Sequence, residues 1–153
     1  MHDLTFNLLV NLASVCNPDS KEILWQYVKK YAPNANREES KYLDQLIDLV
    51  INYYNDFVKT TKSYLKTNKE SKKILEKLYS MLNTCSNAIQ GEELQSKIYE
   101  IGMEVNYSNL KDYFAELYQI LLGQKQGPRL GPFFILYGIE ETKKLIKEKI
   151  DEN

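Results

Sequence analysis

The residues best equipped for chemistry sit together in one short stretch, Gln124-Lys125-Gln126-Gly127-Pro128-Arg129-Leu130-Gly131-Pro132. Arg129 carries a rigid fork of donors that fits a phosphate or a base edge. The amides of Gln124 and Gln126 both donate and accept, which suits the Watson–Crick edges of unpaired bases. Gly123, Gly127 and Gly131 recur at intervals of four with Pro128 between the last two, so helix is blocked and the backbone is free to turn sharply. The stretch is neither a dinucleotide fingerprint nor a P-loop, because it follows a helix and lacks the Gly-Lys-Ser/Thr ending. Two readings are open. Free amides at the start of the next helix, with Arg129, hold a phosphate or base edge; or the stretch is a tight interhelical corner whose arginine caps carbonyls.

A second candidate is the basic block Lys59, Lys62, Lys66, Lys69, Lys72, Lys73 and Lys77, interrupted only by Glu70 and Glu76. In an unbroken helix, Lys59, Lys62, Lys66, Lys69 and Lys73 would form a stripe able to track a nucleic-acid backbone and release counterions. A break at Thr67-Asn68 spoils that register, and the alternative is a solvated, lysine-rich linker. Lys62 and Lys66 are kept as phosphate candidates. Trp25 falls off the apolar stripe of its helix and either stacks on a base or fills an interhelical seam; Phe133 is kept as a second candidate ring. The lone histidine, His2, leaves little material for acid–base, nucleophilic or metal chemistry, so autonomous catalysis is not expected and no metal site is visible. Cys16 and Cys85 fit neither a zinc spacing nor a disulfide framework.

These residues must be positioned by helices, since apolar residues recur at helical spacing in nearly every segment and nothing alternates like a strand for long. The expected fold is all-α, with about seven or eight helices. Asp3 to Cys16 reads as a mostly buried helix with a polar stripe of Asn7, Asn11 and Ser14. Asn17, ahead of Pro18, or Asp19, with Glu22 reaching back, caps the next helix, which ends before Pro33. Glu39 to Val58 reads as one helix whose broad face holds Tyr42, Leu43, Leu46, Ile47, Leu49, Val50, Tyr53, Tyr54, Phe57 and Val58. Further helices are expected from Lys69 or Ser71 to Cys85, Glu92 to Val105, and Asn109 to Leu122. The last is capped by Ser108, ended by Gly123, and turns Leu110, Phe114, Leu117, Tyr118 and Leu121 inward. Pro132 opens a short helix closed by Gly138, and Glu140 to Ile150 forms the last one. A weak domain boundary is expected near residues 86–92.

At 153 residues, 43% hydrophobic and 27% charged, the chain is a globular domain without a membrane-spanning apolar run. Twenty basic against twenty-one acidic residues give a net charge of −1, so anion binding must come from a local patch. No signal peptide opens the chain, and a reducing cytoplasm is the expected compartment.

The run from Leu117 to Gly138, LYQILLGQKQGPRLGPFFILYG, resembles the C-terminal signature of class I lysyl-tRNA synthetases over an ungapped length. Leu4 to Leu12, Leu24 to Val28 and Tyr31-Ala32-Pro33 are similar to the start of the same region, so the resemblance covers nearly the whole chain. Leu136 to Thr142 is more weakly similar to the end of glutamyl-tRNA synthetases, which share a helical anticodon-binding architecture. The sequence departs from the family pattern at Lys125, Leu130 and Pro132. Lys59-Thr60-Thr61-Lys62-Ser63 has a superficial likeness to the KMSKS loop, but that loop works beside a nucleotide-binding sheet and an HIGH sequence, and neither is present.

The resemblance implies the C-terminal helical anticodon-binding region of a lysine-tRNA ligase, with an ATP-dependent catalytic domain ahead of Met1. Its implied partners are the anticodon stem-loop of tRNA(Lys) and its own catalytic domain, with no membrane and no DNA. The fragment itself would hold no cofactor. The candidate contacts are Arg129, Gln124, Gln126, Lys125 and Phe133, with Lys62 and Lys66 for phosphates. A glutamyl-type synthetase, or a helical protein-interaction adaptor without an RNA role, are the alternatives.

Overall fold

The computed structural model describes residues 4–35, 40–105 and 109–152; His2, Asp3, Glu39 and the expected Ser108 cap lie outside them. Among the described residues there are eight α-helices and no strand, as the periodicity predicts. The helices are α1 (Phe6–Cys16), α2 (Lys21–Tyr31), α3 (Lys41–Tyr53), α4 (Lys69–Thr84), α5 (Gly91–Glu104), α6 (Leu110–Leu121), α7 (Leu130–Tyr137) and α8 (Ile139–Asp151). The chain divides into two compact units, Met1–Lys62 and Ser63–Asn153. The loop near 86–92, expected as a boundary, instead lies inside the second unit. Ile89 is buried within it, and the helices on either side, α4 and α5, pack on each other.

In the first unit α1 is the central helix, contacting both α2 and α3. Thr5 caps it by accepting from the Leu8 amide at 3.1 Å. Burial goes all round and takes in Asn11 and Ser14 of the polar stripe. Asn11 meets part of its hydrogen-bonding need locally, its Nδ2 donating to the Asn7 carbonyl at 2.8 Å. Neither expected cap of α2 is used, because Asn17 instead ends α1 in the left-handed region (φ 45°) and Ser20 takes the N-cap position. Asparagine tolerates that conformation better than most non-glycine residues, so the same side chain suits either end of a helix. Trp25 is buried and donates from Nε1 to Asp44 Oδ1 at 2.8 Å, while Lys21 bridges Asp44 and Asp48 at 2.9 and 3.1 Å. The seam reading of Trp25 therefore holds, and its ring is not open to a base.

The helix expected over Glu39–Val58 is two pieces, α3 and a π-helical turn over Tyr54–Val58, with Lys59 N–H bonded to the Tyr54 carbonyl at 2.8 Å. Only part of its broad apolar face is covered. Leu43, Ile47, Val50, Tyr54 and Val58 are buried, whereas Tyr42, Leu49, Tyr53 and Phe57 are exposed. Lys62 closes this unit. Its ammonium donates to the Ser14 carbonyl at 3.0 Å and the Tyr54 hydroxyl at 3.1 Å, and lies 5.2 Å from the Tyr54 ring centre. A cation there complements the C-terminal carbonyls of α1. Nearby burial lifts the Cys16 thiol from its ordinary 9.0 to about 12, only partly opposed by the Cys16 backbone and Lys62.

In the second unit α4 lies against α5 and α8, and α5 also packs on α6 and α7. Asn68 caps α4 through a reciprocal box with Ser71, both bonds at 2.8 Å, which ends any continuous lysine helix at residue 68. In α6 the N-cap among the described residues is Asn109, and Tyr113, Leu117, Ile120 and Leu121 are the buried positions. The inward set is thus rotated from the expected one, because the Tyr113 hydroxyl finds the Ile98 carbonyl at 2.8 Å and lets that large ring be buried.

Two outcomes are expected. Asn68→Ala lowers unfolding free energy by about 1 kcal/mol in urea titration, since it removes one side of the capping box. Cys16 labelling by a soluble disulfide reagent rises about tenfold per pH unit from pH 7 to beyond pH 10, because only the thiolate reacts; a plateau near pH 9 contradicts the burial.

Candidate nucleic-acid interface

The stretch singled out in the sequence is a built corner between α6 and α7. Gly123 adopts φ 75° directly after the α6 C-cap at Leu122 and reverses the chain without Cβ strain. The extended segment after Lys62 seals this end of α6: Ser63 N–H donates to the Gly123 carbonyl at 2.9 Å and Leu65 N–H to the Gln119 carbonyl at 3.1 Å. These bonds satisfy carbonyls at a helix end that lack a partner within the helix. Lys149 caps the same segment by sitting 4.3 Å from the Tyr64 ring centre. The lysine-rich linker is therefore docked here, with Lys66 exposed on it.

Two side chains fix the backbone of the corner, and a third meets its arginine. Tyr118 of α6 donates its hydroxyl to the Pro128 carbonyl at 2.8 Å, and its ring lies where a Cβ on Gly127 would clash. Burial pushes the Tyr118 hydroxyl pKa up, with Arg129 pulling the other way, so it stays a neutral donor. Gln95 of α5 accepts the Gly131 N–H at 2.7 Å. Glu92, one turn earlier, pairs with Arg129 at 2.7 Å on the surface. Gly131 has no room for a side chain, because a Cβ there would run into the Gly91 carbonyl and the Gln95 backbone. The α7 helix begins at Leu130, earlier than expected, with Pro132 in its first turn, where no intrahelical donor is needed.

The predicted residues separate into groups. Arg129, Lys125 and Gln126 are exposed and Gln124 is half-buried, all on the corner. Phe133 is a correction: it is 1% exposed, inside the core, and has no ring face to offer a base. Its neighbour Phe134 is equally buried, so both rings belong to the core of the unit. Lys62 belongs to the first unit and is engaged as described above, and Lys66 lies on the docked segment of the second. The free amides expected at the start of α7 are reduced too, since Gln95 takes the Gly131 amide and Pro132 has none. Residue-type reasoning missed Glu92 and Gln95. The only sequence signal for them is their spacing of three at the start of a helix, which puts both on one face.

This arrangement offers an arginine fork, two carboxamides and a lysine on a rigid exposed turn. Among the described residues no cluster of histidine, cysteine or carboxylate side chains could hold a metal ion, and no helix is long and apolar enough to cross a membrane.

Residues 12–150 match the anticodon binding domain family, and the chain belongs to that family. More particularly, it is 52% identical over 147 residues to a Lysine–tRNA ligase of Rickettsia bellii (strain OSU 85-389), covering 96% of this chain and 28% of that protein. The Lysine–tRNA ligases of Rickettsia felis (strain ATCC VR-1525 / URRWXCal2) and Rickettsia prowazekii (strain Madrid E) are each 51% identical with the same coverage. The chain thus spans about 28% of the length of these curated relatives. No solved structure matches it.

The corner geometry makes a stability prediction. Gly131→Ala forces α5 and α7 apart and costs about 1–3 kcal/mol of unfolding free energy. Gly138→Ala, where space is open but φ is 105°, tests backbone strain separately from crowding. A Gly131→Ala protein as stable as the parent in denaturant melts removes the close-approach argument.

Proposed function

We propose that this chain is the anticodon-reading helical part of a class I lysine–tRNA ligase. The ATP-dependent formation of the lysyl ester takes place in a catalytic domain outside these residues, and the setting is the cytoplasm. The observation that carries the reading is the family match over residues 12–150 together with an exposed Arg129 on a corner that Tyr118 and Gln95 hold in place. The names of the relatives support lysine as the amino acid and tRNA(Lys) as the partner.

Anticodon bases are unpaired and can be splayed out of their loop. A guanidinium plane accepts a base by stacking and donates to carbonyl edges, and carboxamides at Gln124 and Gln126 supply mixed donor and acceptor positions. Glu92 steers the fork without burying it, since both partners of that ion pair are more than half exposed. The pair contributes little to stability and yields readily to a ligand. Lys125 and Lys66 add the salt-sensitive attraction to phosphates.

Arg129→Ala should raise the Kd for tRNA(Lys) about tenfold or more, the cost of a charge-assisted hydrogen bond, with melting temperature unchanged. Native gel shifts at several salt concentrations check this. Unchanged affinity removes Arg129 from the site. Retardation that follows a glutamate anticodon assigns the chain to the glutamyl type, and no anticodon-dependent retardation at any salt makes it a protein adaptor.

A further inference from the structure

Helix α3 and the π-helical turn after it carry two apolar stripes, each with spacings of four, three, four and four. The inner one, Leu43, Ile47, Val50, Tyr54 and Val58, is buried in the first unit. The outer one, Tyr42, Leu46, Leu49, Tyr53 and Phe57, is displaced by one residue, about 100° around a helix. Of it, Tyr42, Leu49, Tyr53 and Phe57 are 77%, 60%, 42% and 62% exposed. Phe6, the first residue of α1, extends it: the Phe6 and Tyr53 rings meet edge to face at 5.3 Å, and Tyr53 and Phe57 lie 5.2 Å apart. A run of aromatic and leucine side chains this continuous is a surface that a partner covers, since single exposed apolar residues scatter and do not line up.

We infer that this stripe is the docking seam for the rest of the ligase polypeptide, an inference that rests on the proposed function. Two observations select that occupant. The chain spans 28% of the length of the relatives it matches, so in such a ligase most of the polypeptide lies outside it. By helical spacing, Lys41, Gln45, Asp48, Asn52 and Asp56 border the stripe on its solvent side, with Asp48 paired to Lys21 at 3.1 Å; this mixed polar edge has no excess positive charge to draw a phosphate backbone and suits an apolar protein face with a polar rim.

The test compares thiol labelling in the 153-residue chain and in the ligase polypeptide that carries it. Leu49→Cys and Phe57→Cys are labelled with a maleimide and read peptide by peptide by mass spectrometry, with Lys29→Cys on exposed α2 as the control. Both stripe positions should label freely in the short chain and at least about tenfold more slowly in the ligase, with Lys29→Cys unchanged. Equal rates at the stripe in the two proteins overturn the inference. So does slowing in the short chain alone, whether on raising its concentration, which indicates a second copy, or on adding tRNA, which indicates RNA. Aminoacylation of tRNA(Lys) by the same parent ligase separates the two claims: charging intact with equal labelling sinks only the seam, and no charging sinks the functional reading beneath it.

Discussion

The second unit depends on one steric condition, that the first turn of α7 lie directly on the first turn of α5. A side chain at Gly131 would meet the Gly91 carbonyl and the Gln95 backbone, and one at Gly91 would press on Pro132. The two glycines therefore let two backbones touch, and everything nearby follows from that contact. Gln95 comes within 2.7 Å of the Gly131 amide, Glu92 comes within 2.7 Å of Arg129, and the turn between Gly123 and Arg129 has a fixed end to run to. Tyr118 fixes the middle of that turn from the other side. The corner is thus held by groups from α5, α6 and its own backbone, and its exposed side chains start from a rigid base.

Much of this was legible in the sequence, and the parts that were not share a cause. Helical periodicity located the longer helices, because an apolar face is needed whatever it packs against, while Pro132 and Gly138 marked the short α7. Periodicity does not say which of two adjacent apolar stripes receives a partner, so Tyr42, Leu49, Tyr53 and Phe57 read as core alongside residues that are. It also does not reveal an inserted π turn, since the pattern through Tyr54 and Val58 still repeats at about four. Trp25 fell off its own helix stripe because its indole answers to Asp44, nineteen residues away. Asn17 read as an N-cap because the short polar side chain that caps a helix also tolerates the left-handed turn that ends one.

The candidate site shows the same division. The clustering of Arg129, Lys125, Gln124 and Gln126 is local in sequence, and the glycine spacing declared a turn, so that group was visible. Phe133 was not distinguishable from a surface ring, because burial on the first turn of a short helix depends on what covers it. Lys62 looked like one of a row of lysines, yet its ammonium is placed among the Ser14 carbonyl, the Tyr54 hydroxyl and the Tyr54 ring. Long-range partners decide such cases, and a single sequence does not print them.

A chain with net charge −1 is an unusual vehicle for binding RNA through its whole field, and the structure shows where local charge is spent. Lys21, Lys62, Lys77, Lys143 and Lys149 all contact carboxylates, carbonyls, amides or rings within their own unit. The capping box at Asn68 interrupts what would have been a continuous lysine stripe. What projects from the corner is a small set of directional groups, and Glu92 beside Arg129 further weakens simple attraction to phosphate. On the proposed reading, such a surface gains little from generic polyanions and most from a ligand whose donors and acceptors match it, which is the property required to tell one unpaired triplet from another. Affinity through shape and hydrogen bonding also falls less steeply with salt than affinity through counterion release, so on that reading discrimination would persist at cellular ionic strength.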